Sequence, residues 1–413
     1  MAGVDNILDR LAGLQGTNFT ITDVKVKDTE IIWQVEHRES SEYQCRNCSA
    51  KHDSFHDQRW ISIKDVPFGN KTCIWKVKRM RILCVCSNNV RVEAMSFRSK
   101  HHHLTQRFVD YIEQVLCTKM FTVADVARLF NLDYGVVYKI DHDVLLRMWQ
   151  QCEIPDPINI SVDEKSFKKG HNYVTIVTDV DLKKVIWTSE GNKKESLDQF
   201  FKVIGPDRCA KIETVSKDLH IPYALSCKEF IPQAMEVADP FHVVKKLNEC
   251  LDQCRKELAL ESKIQPLKRK KIFRLNWVLR YKKENMKEGH LESLDELAKL
   301  NEPLYKAYLH KESFYDFRPS QVDDAEKFLI VWIIEAFKSK LKGLQNFAEY
   351  ISRNTKILLN IITTQRSSAI SEGINRKITV IKSMAYGYRN IQYFMLKIMQ
   401  RCGVLGSLWE PAS

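Results

Sequence analysis

The sequence predicts an α/β protein in which a β-rich cysteine-bearing module and an all-α module precede a mixed sheet with a large helical insertion. Three observations predict this class. Cysteine pairs lie in residues 40–100, strand-like runs alternate with helices from 158 to 245, and residues 246–350 are almost wholly helical and highly charged. We place the segment boundaries at 1–100, 101–152, 153–245, 246–360 and 361–413, with the third and fifth segments forming one domain.

Composition indicates in which compartment the protein is expected and what kind of molecule it is expected to bind. No run of 18 apolar residues appears, and the N-terminus has two Asp and no basic region, so we expect a cytoplasmic protein without a membrane span. The formal charge is +12, and residues 241–290 hold 14 Lys/Arg against 6 Asp/Glu, net +8 (14−6). Clustered positive charge suits a polyanion such as double-stranded DNA, although solvated helix faces are the alternative.

The first module combines alternating strands with cysteines. Residues 18–38 alternate in the manner of a hairpin, and Cys45 and Cys48 have the two-residue spacing of a zinc knuckle. Cys84 and Cys86 follow as a second pair, but a one-residue gap is poor geometry for two ligands. Cys73, His52 and His56 are possible replacements, and surface or strand thiols without metal are the alternative. We interpret the module as zinc-ribbon-like, with Zn²⁺ as its possible ion.

Residues 121–140 have the pattern of a helix-turn-helix. Thr122 is a candidate N-cap, Asn131 can take a left-handed turn, and Leu132 can pack between the two helices. The second helix would present Tyr134, Tyr138 and Lys139 toward a DNA major groove. An ordinary helical hairpin is the alternative.

The next region predicts a sheet that carries acids. Residues 158–163, 172–180 and 184–188 read as three antiparallel strands, and a helix at 195–204 leads to a further strand ending near Asp218. This layout is that of an RNase H-like sheet. Such a sheet can bring two Asp together with a Glu from a late helix to hold two Mg²⁺ about 4 Å apart. Strand-end Asp residues are also common as turn formers.

Four stretches, in this order along the chain, resemble the ISL-three family of insertion-sequence transposases. They are Ser161–Tyr173, Ser216–Tyr223, Gln233–Asn248 with its Asp-Pro-Phe-His segment, and Ser371–Asn390.

The resemblance implies an RNase H-like domain with an Asp-Asp-Glu site, in which Asp163, Asp218 and Glu372 are the catalytic and metal-binding acids. It implies two Mg²⁺, or Mn²⁺, as cofactors, and a helical insertion before Glu372. Glu372 itself lies on a predicted helix whose apolar face is Ile374, Ile378 and Ile381. His242 can contact phosphate or make a backbone hydrogen bond, and Asp239 can support the site or cap a strand end.

The insertion carries a basic stretch that we expect to grip DNA phosphates along one helix face. Its members are Lys268, Arg269, Lys270, Lys271, Arg274 and Arg280. Trp277 and Trp332 can stack on an unpaired base, but most Trp at helical spacing belong to a core.

We therefore expect a prokaryotic, nucleoid-associated transposase. It would bind the terminal inverted repeats of its element as a homo-oligomer and would cut and join DNA strands. An RNase H-like nuclease without strand joining, or a domesticated DNA-binding protein, is the alternative.

Overall fold

A computed structural model describes residues 7–38, 42–99, 103–168, 172–218, 220–261, 266–317, 322–364 and 369–405. The described residues up to Gln151 form one compact unit, and those from Cys152 form a second. A search of the described residues finds no helix with the length and hydropathy needed to cross a bilayer.

The first unit begins with a short helix and a five-stranded sheet. Its elements are α1 (Ile7–Ala12), β1 (Phe19–Val26), β2 (Glu30–His37), β3 (Tyr43–Gln44), β4 (Lys51–His52), β5 (Asp57–Phe68), β6 (Lys71–Cys84) and β7 (Asn89–Val92). The sheet order is β1-β2-β6-β5 with β7 paired to β6, while β3 and β4 form a separate pair. The antiparallel β1–β2 pair confirms the predicted hairpin. Alternate residues of β6, including Trp75 and Val77, are buried and form the centre of the core.

Three helices complete the first unit: α2 (Gln106–Cys117), α3 (Val123–Leu129) and α4 (Tyr134–Gln151). Thr122 caps α3 as predicted, and its hydroxyl and the Asp125 carboxylate form a reciprocal capping box. Asn131 has the predicted left-handed backbone (φ 48°) in the turn before α4. Leu132 is partly buried against the three-helix core.

The second unit is built on a five-stranded mixed sheet. Its strands are β8 (Asn159–Lys168), β9 (Asn172–Asp179), β10 (Lys184–Glu190), β11 (Thr214–Lys217) and β12 (Met235–Ala238). They lie in the order β10-β9-β8-β11-β12, with β8, β9 and β10 antiparallel and β8, β11 and β12 parallel. Helices connect the parallel strands: α5 (Lys194–Ile204), α6 (Pro206–Cys209) and α7 (Ile221–Phe230). The three antiparallel strands and the alternation that follows agree with the sequence prediction.

A helical assembly follows the last strand. Its helices are α8 (Pro240–Glu261), α9 (Pro266–Arg274), α10 (Glu288–Leu300), α11 (Glu302–Phe314), α12 (Val322–Lys338) and α13 (Lys342–Arg353), with 3₁₀ turns at Val278–Arg280 and Lys283–Asn285. One buried cluster joins them, centred on residues such as Leu247, Trp332 and Phe347. Gly343 permits the close approach of α13 to α8, because a Cβ there would lie 2.2 Å from the carbonyl oxygen of Cys250.

Three last helices return to the sheet: α14 (Thr355–Thr364), α15 (Ala369–Met384) and α16 (Ile391–Cys402). The Asn360 side chain on α14 donates to the backbone oxygen of Glu236 on β12 at 2.8 Å. Helix α16 packs beside β10, and the residue that follows it, Gly403, bridges to Val185. The chain therefore leaves the sheet through α8 and comes back to it with α14, the helix before the one that carries Glu372.

Candidate active site

Asp163 and Asp218 lie on neighbouring parallel strands at the same level. Lys217, the last residue of β11, pairs with Val162 of β8, so the next residues along the two strands are Asp218 and Asp163. The Asp163 side chain is 13% exposed and that of Asp218 is 39% exposed. Asp163 lies within β8, whereas Asp218 follows directly after β11 ends. The sheet thus brings together two acids that are 55 positions (218−163) apart in sequence.

Helix α15 makes side-chain hydrogen bonds to β8, the strand that carries Asp163. The hydroxyls of Ser371 and Ser161 lie 2.8 Å apart, and the Asn375 side-chain amide donates to the Asp163 carboxylate. The predicted apolar face of the helix, Ile374, Ile378 and Ile381, is buried.

Glu372 follows the serine that contacts β8. Its side chain is 43% exposed and pairs with Arg376 one turn later on α15. Arg376 lies on the same helix, so the ion pair that holds the Glu372 carboxylate is made within α15. It therefore lies on the helix that contacts Asp163, one residue from the Ser371–Ser161 contact.

His242, in the first turn of α8, lies between the two aspartates. Its Nε2 is 3.6 Å from an Asp163 oxygen, and its Nδ1 is 3.3 Å from an Asp218 oxygen. Sequence reasoning considered a phosphate or a backbone partner for His242 and missed this position. One signal in the sequence could have predicted this position. The Asp-Pro-Phe-His segment follows directly after β12, and β12 is the parallel neighbour of β11, the strand that Asp218 follows.

Each group changes the protonation of the others. Burial alone would raise the pKa of Asp163, but hydrogen bonds from His242 and Asn375 bring this pKa below its ordinary value. Burial alone would lower the pKa of His242, but the hydrogen bond to Asp163 and the charges of both aspartates raise it. The arrangement therefore favours an imidazolium between two carboxylates.

Asp239 is a third buried acid near this cluster. Burial raises its pKa, and the nearby charges of Asp163 and Asp218 raise it as well. One of its oxygens accepts from the backbone N–H of Phe241 at 2.8 Å, at the start of α8. This contact caps the start of α8, whereas the sequence suggested a strand-end cap or a support for the site.

Oxygen donors of this kind suit a hard divalent cation. Among the described residues, however, Asp163, Asp218 and Glu372 do not form a group whose ligand atoms all lie within 4.8 Å of one another. The donor chemistry fits Mg²⁺, while the carboxylates of Asp163 and Asp218 lie on either side of His242.

The cysteines of the first unit do form such a group. The sulfurs of Cys45, Cys48 and Cys84 all lie within 4.8 Å of one another, and those of Cys48 and Cys84 are 3.3 Å apart. Cys45 and Cys48 flank a tight turn between β3 and β4, and Cys84 ends β6. The proposed replacement Cys73 is not part of this group; it is buried within β6.

Cys86 lies in the hairpin turn that follows β6. The backbone N–H of Ala50 lowers the pKa of Cys48, but the neighbouring thiols of Cys84 and Cys86 raise it, so that it lies above its ordinary value. The hydrogen bond from Cys48 lowers the pKa of Cys84 to about 6. Among the described residues, Cys86 is not a member of the three-sulfur group, which agrees with the expectation that a one-residue gap is poor geometry for two ligands.

The predicted DNA-contacting residues of α4 are accessible. Tyr134 is 54% exposed, Lys139 is exposed, and Tyr138 is half-buried between two rings. The rings of Tyr134 and Tyr138 are stacked with centroids 6.3 Å apart, and those of Tyr138 and His142 are 6.0 Å apart. The first turns of α4 thus present an aromatic row beside a lysine.

The basic stretch of the insertion is also on the surface. Arg269, Lys270, Lys271, Arg274 and Arg280 are exposed, while the side chain of Lys268 lies outside the described residues. Lys271 forms an ion pair with Glu296, which offsets part of its charge.

The two tryptophans of the insertion differ. Trp277 is 67% exposed, with the Arg280 guanidinium 5.1 Å from its ring centroid. Trp332 is buried, and its indole N–H donates to the backbone oxygen of His310 at 3.1 Å. The suggestion that Trp332 can stack on a base is therefore wrong, because the ring belongs to the core of the helical assembly.

Comparisons with known proteins identify the family of this chain. Residues 160–398, more than half of the chain, match the model of the ISL-three family, described as a transposase. The transposase for insertion sequence element IS1001 of Bordetella parapertussis is 29% identical over 360 residues, covering 86% of this chain and 87% of the relative. The transposase for insertion sequence element IS1557 of Mycobacterium tuberculosis is 26% identical over 395 residues, covering 88% and 86%.

The matched region contains both aspartates, the histidine between them and the helix bonded to β8. The chain therefore belongs to the ISL-three family of transposases, enzymes that process DNA.

Proposed function

We propose that the protein transposes an insertion sequence by binding its terminal inverted repeats and by cleaving and joining DNA strands at Asp163, Asp218 and Glu372. One observation carries the proposal: Asp163 and Asp218 lie side by side on β8 and β11, and the helix bearing Glu372 is bonded to β8 through Ser371 and Asn375. An Asp-Asp-Glu site requires three acids from separate parts of the chain to meet around the metals, and the bonds between the elements that carry these acids support such a meeting.

The catalytic domain is proposed to be RNase H-like. The order β10-β9-β8-β11-β12, with three antiparallel strands followed by two parallel ones, supports this fold. In such a sheet the first and fourth strands along the chain are neighbours, and here these are β8 and β11. The helices α8 to α13 then form the insertion between the second and third acids.

The three acids would hold two Mg²⁺, or Mn²⁺. Bound there, the metal supplies activation of water or a 3′-hydroxyl and stabilisation of the leaving oxygen. Asn375 orients Asp163 by donating to its carboxylate, and the backbone N–H of Glu164 holds the other Asp163 oxygen at 2.7 Å. His242 offsets the repulsion between the aspartates.

DNA recognition is assigned to several surfaces. The turn between α3 and α4 supports a helix-turn-helix in which Tyr134, Tyr138 and Lys139 face a major groove. The basic stretch of the insertion would contact phosphates without reading sequence. We expect the protein to act as a homo-oligomer on DNA.

A zinc ribbon would hold the first module together. Cys45, Cys48, Cys84 and Cys86 are soft sulfur donors, and the sulfurs of the first three already lie within the span of one tetrahedral ion. Zn²⁺ there would be structural, since four thiolates leave no position for a reacting group.

The deciding experiment replaces each acid without changing its shape: Asp163→Asn, Asp218→Asn and Glu372→Gln. Each should lower strand cleavage and strand transfer in Mg²⁺ by about a thousandfold or more while end binding stays nearly intact, because phosphoryl transfer depends on metal-held charge stabilisation. Asp207→Asn, an exposed acid on α6, is the matched control and should keep full activity.

The substrate should carry the element's own ends, and the assay should score nicking and joining separately. Wild-type activity in all three variants would make these acids structural and would end the catalytic assignment. Nicking without joining by the wild-type protein would identify a nuclease instead.

A further inference from the structure

A cavity of about 420 Å³ lies within the first unit, away from the acids. Its walls are the loop before β1, the end of β2, the cysteine turn and the segment that follows β7. Arg46, next to Cys45, and Arg98 supply its guanidinium groups. A cavity of this size is ample for a phosphate group together with an attached sugar.

Arg98, in the wall of this cavity, has few partners within the protein. Its Nε is buried, and no hydrogen-bond partner for this atom exists among the described residues. Nor does any described carboxylate form an ion pair with Arg98; the paired arginines of the same unit, such as Arg81 with Asp57, contrast with it. The charge of Arg98 therefore has no described counter-ion, and the cavity that this side chain lines has room for an anion that would supply one.

The surrounding charge is positive. Burial lowers the pKa of Arg98, and the nearby charges of Arg46 and Arg79 lower it further. The Nε of Arg79 is likewise buried without a hydrogen-bond partner among the described residues. Arg79 does not line the cavity, so the guanidinium groups that favour an anion in it are those of Arg46 and Arg98.

The acid in the cavity wall does not serve as that anion. Glu93 is buried, and one of its oxygens accepts from the backbone N–H of Met80 at 2.6 Å. The other oxygen pairs with His37. Both carboxylate oxygens of Glu93 therefore already have partners other than Arg98.

We propose that this cavity binds a backbone phosphate of the DNA that the protein recognises, with Arg98 and Arg46 as its ligands. A guanidinium donates two parallel hydrogen bonds to phosphate oxygens, which a lysine cannot do. The surrounding segment supports a nucleic acid as the source, since residues 71–100 hold 8 Lys/Arg against 1 Asp/Glu, net +7 (8−1). The inference rests on the proposed DNA-binding role of the first unit.

The test compares the salt dependence of end binding in full-length variants, in buffers without phosphate or sulfate. Arg98→Gln should weaken binding about tenfold and lower the slope of log affinity against log salt by about 0.9, the value for one phosphate contact. Arg98→Lys should restore the slope but not the full affinity. Arg46→Gln, at an exposed position where folding is not at risk, should also lower the slope, and Arg10→Gln on α1 is the matched control.

A second measurement distinguishes a backbone phosphate of DNA from free inorganic phosphate as the ligand. The melting temperature of the DNA-free protein is followed with inorganic phosphate against chloride at equal ionic strength. Stabilisation of the wild type but not of Arg98→Gln, together with the reduced slope, supports the proposal. The same stabilisation with an unchanged slope would overturn it in favour of a free phosphate. Unchanged slopes in both Gln variants without phosphate stabilisation would leave the cavity without an anion and also overturn it.

Failure of the wild-type protein to bind its ends would instead count against the proposed function. The melting temperatures with phosphate would then show only whether the cavity binds an anion. Stabilisation that requires Arg98 would support an anion site, and the absence of stabilisation would exclude one.

Discussion

The cysteine group of the first unit and the acidic group of the second are both candidate metal centres, yet their ligands are arranged differently. The sulfurs of Cys45, Cys48 and Cys84 have already converged to within 4.8 Å. Asp163 and Asp218 lie on either side of His242, which is 3.6 Å from one and 3.3 Å from the other.

The physical reason for the difference is charge. A protonated thiol is neutral and can donate to a neighbouring thiol or thiolate, so two sulfurs can approach without like-charge repulsion, as those of Cys48 and Cys84 do at 3.3 Å. Two ionised carboxylates repel, so a cation must lie between them or one must take up a proton. The first group is thus ready to close around one ion, whereas the second is kept apart by a side chain that occupies the space between its ligands. We expect the proposed structural centre and the proposed catalytic centre to differ in this way.

The largest expected effect is on the cysteine group. Cys84→Ser should abolish zinc binding and destabilise the first unit by several kcal/mol, because structural zinc contributes on the order of 10 kcal/mol in small domains. Metal analysis and thermal unfolding with and without a chelator measure both. Cys152→Ser, outside the group, should change neither. A wild-type protein that purifies without zinc and unfolds at the same temperature with and without the chelator would contradict the comparison of two metal centres, since the thiols would then pack together without an ion.

A smaller effect is expected at His242. In metal-free protein, His242→Ala should lower the free energy of unfolding by about 1–3 kcal/mol, because the largely buried Asp163 loses the partner of its ion pair. Added Mg²⁺ should reduce this loss, since a cation can again lie between the aspartates. The exposed His103→Ala should be neutral. An equal loss with and without Mg²⁺ would show that His242 is only a packing residue.

Much of both centres could be predicted from the sequence, because it depends on local pattern. The β-rich runs gave the three antiparallel strands, the spacing of Ile374, Ile378 and Ile381 gave the buried face of α15, and the resemblance named the acids. The Thr122 cap and the left-handed Asn131 followed from short-range turn chemistry.

What escaped prediction depends on packing between distant segments. The place of His242 is set by where α8 begins relative to β11, and no pattern within residues 233–248 contains that distance. Trp332 lies at a helical spacing that suits either a core or a surface, and only the neighbouring helices decide for the core. Lys271 looked free in a basic run, but its partner Glu296 comes from α10.

The smallest effect concerns Asn375, which tests how α15 is attached to the acidic group. Asn375→Ala removes one of the hydrogen bonds to Asp163, while those from His242 and Glu164 remain. We therefore expect strand cleavage to fall about tenfold and stability to fall by about 1 kcal/mol. The exposed Ser383→Ala on the same helix, whose hydroxyl bonds only within α15, is the control.

The pH dependence of this stability loss gives the sharper measurement. Burial works against the ionised form of Asp163, but its partners hold its pKa below the ordinary 3.8. A lowered carboxyl pKa adds stability that is present above 3.8 and is lost as pH falls through the lower folded value. The cost of Asn375→Ala should accordingly be full at neutral pH and shrink at acid pH, as followed by denaturant unfolding across that range. A cost that stays constant down to the acid limit would mean that Asn375 contributes packing alone, and that α15 is attached to the sheet through Ser371 rather than through the Asp163 carboxylate.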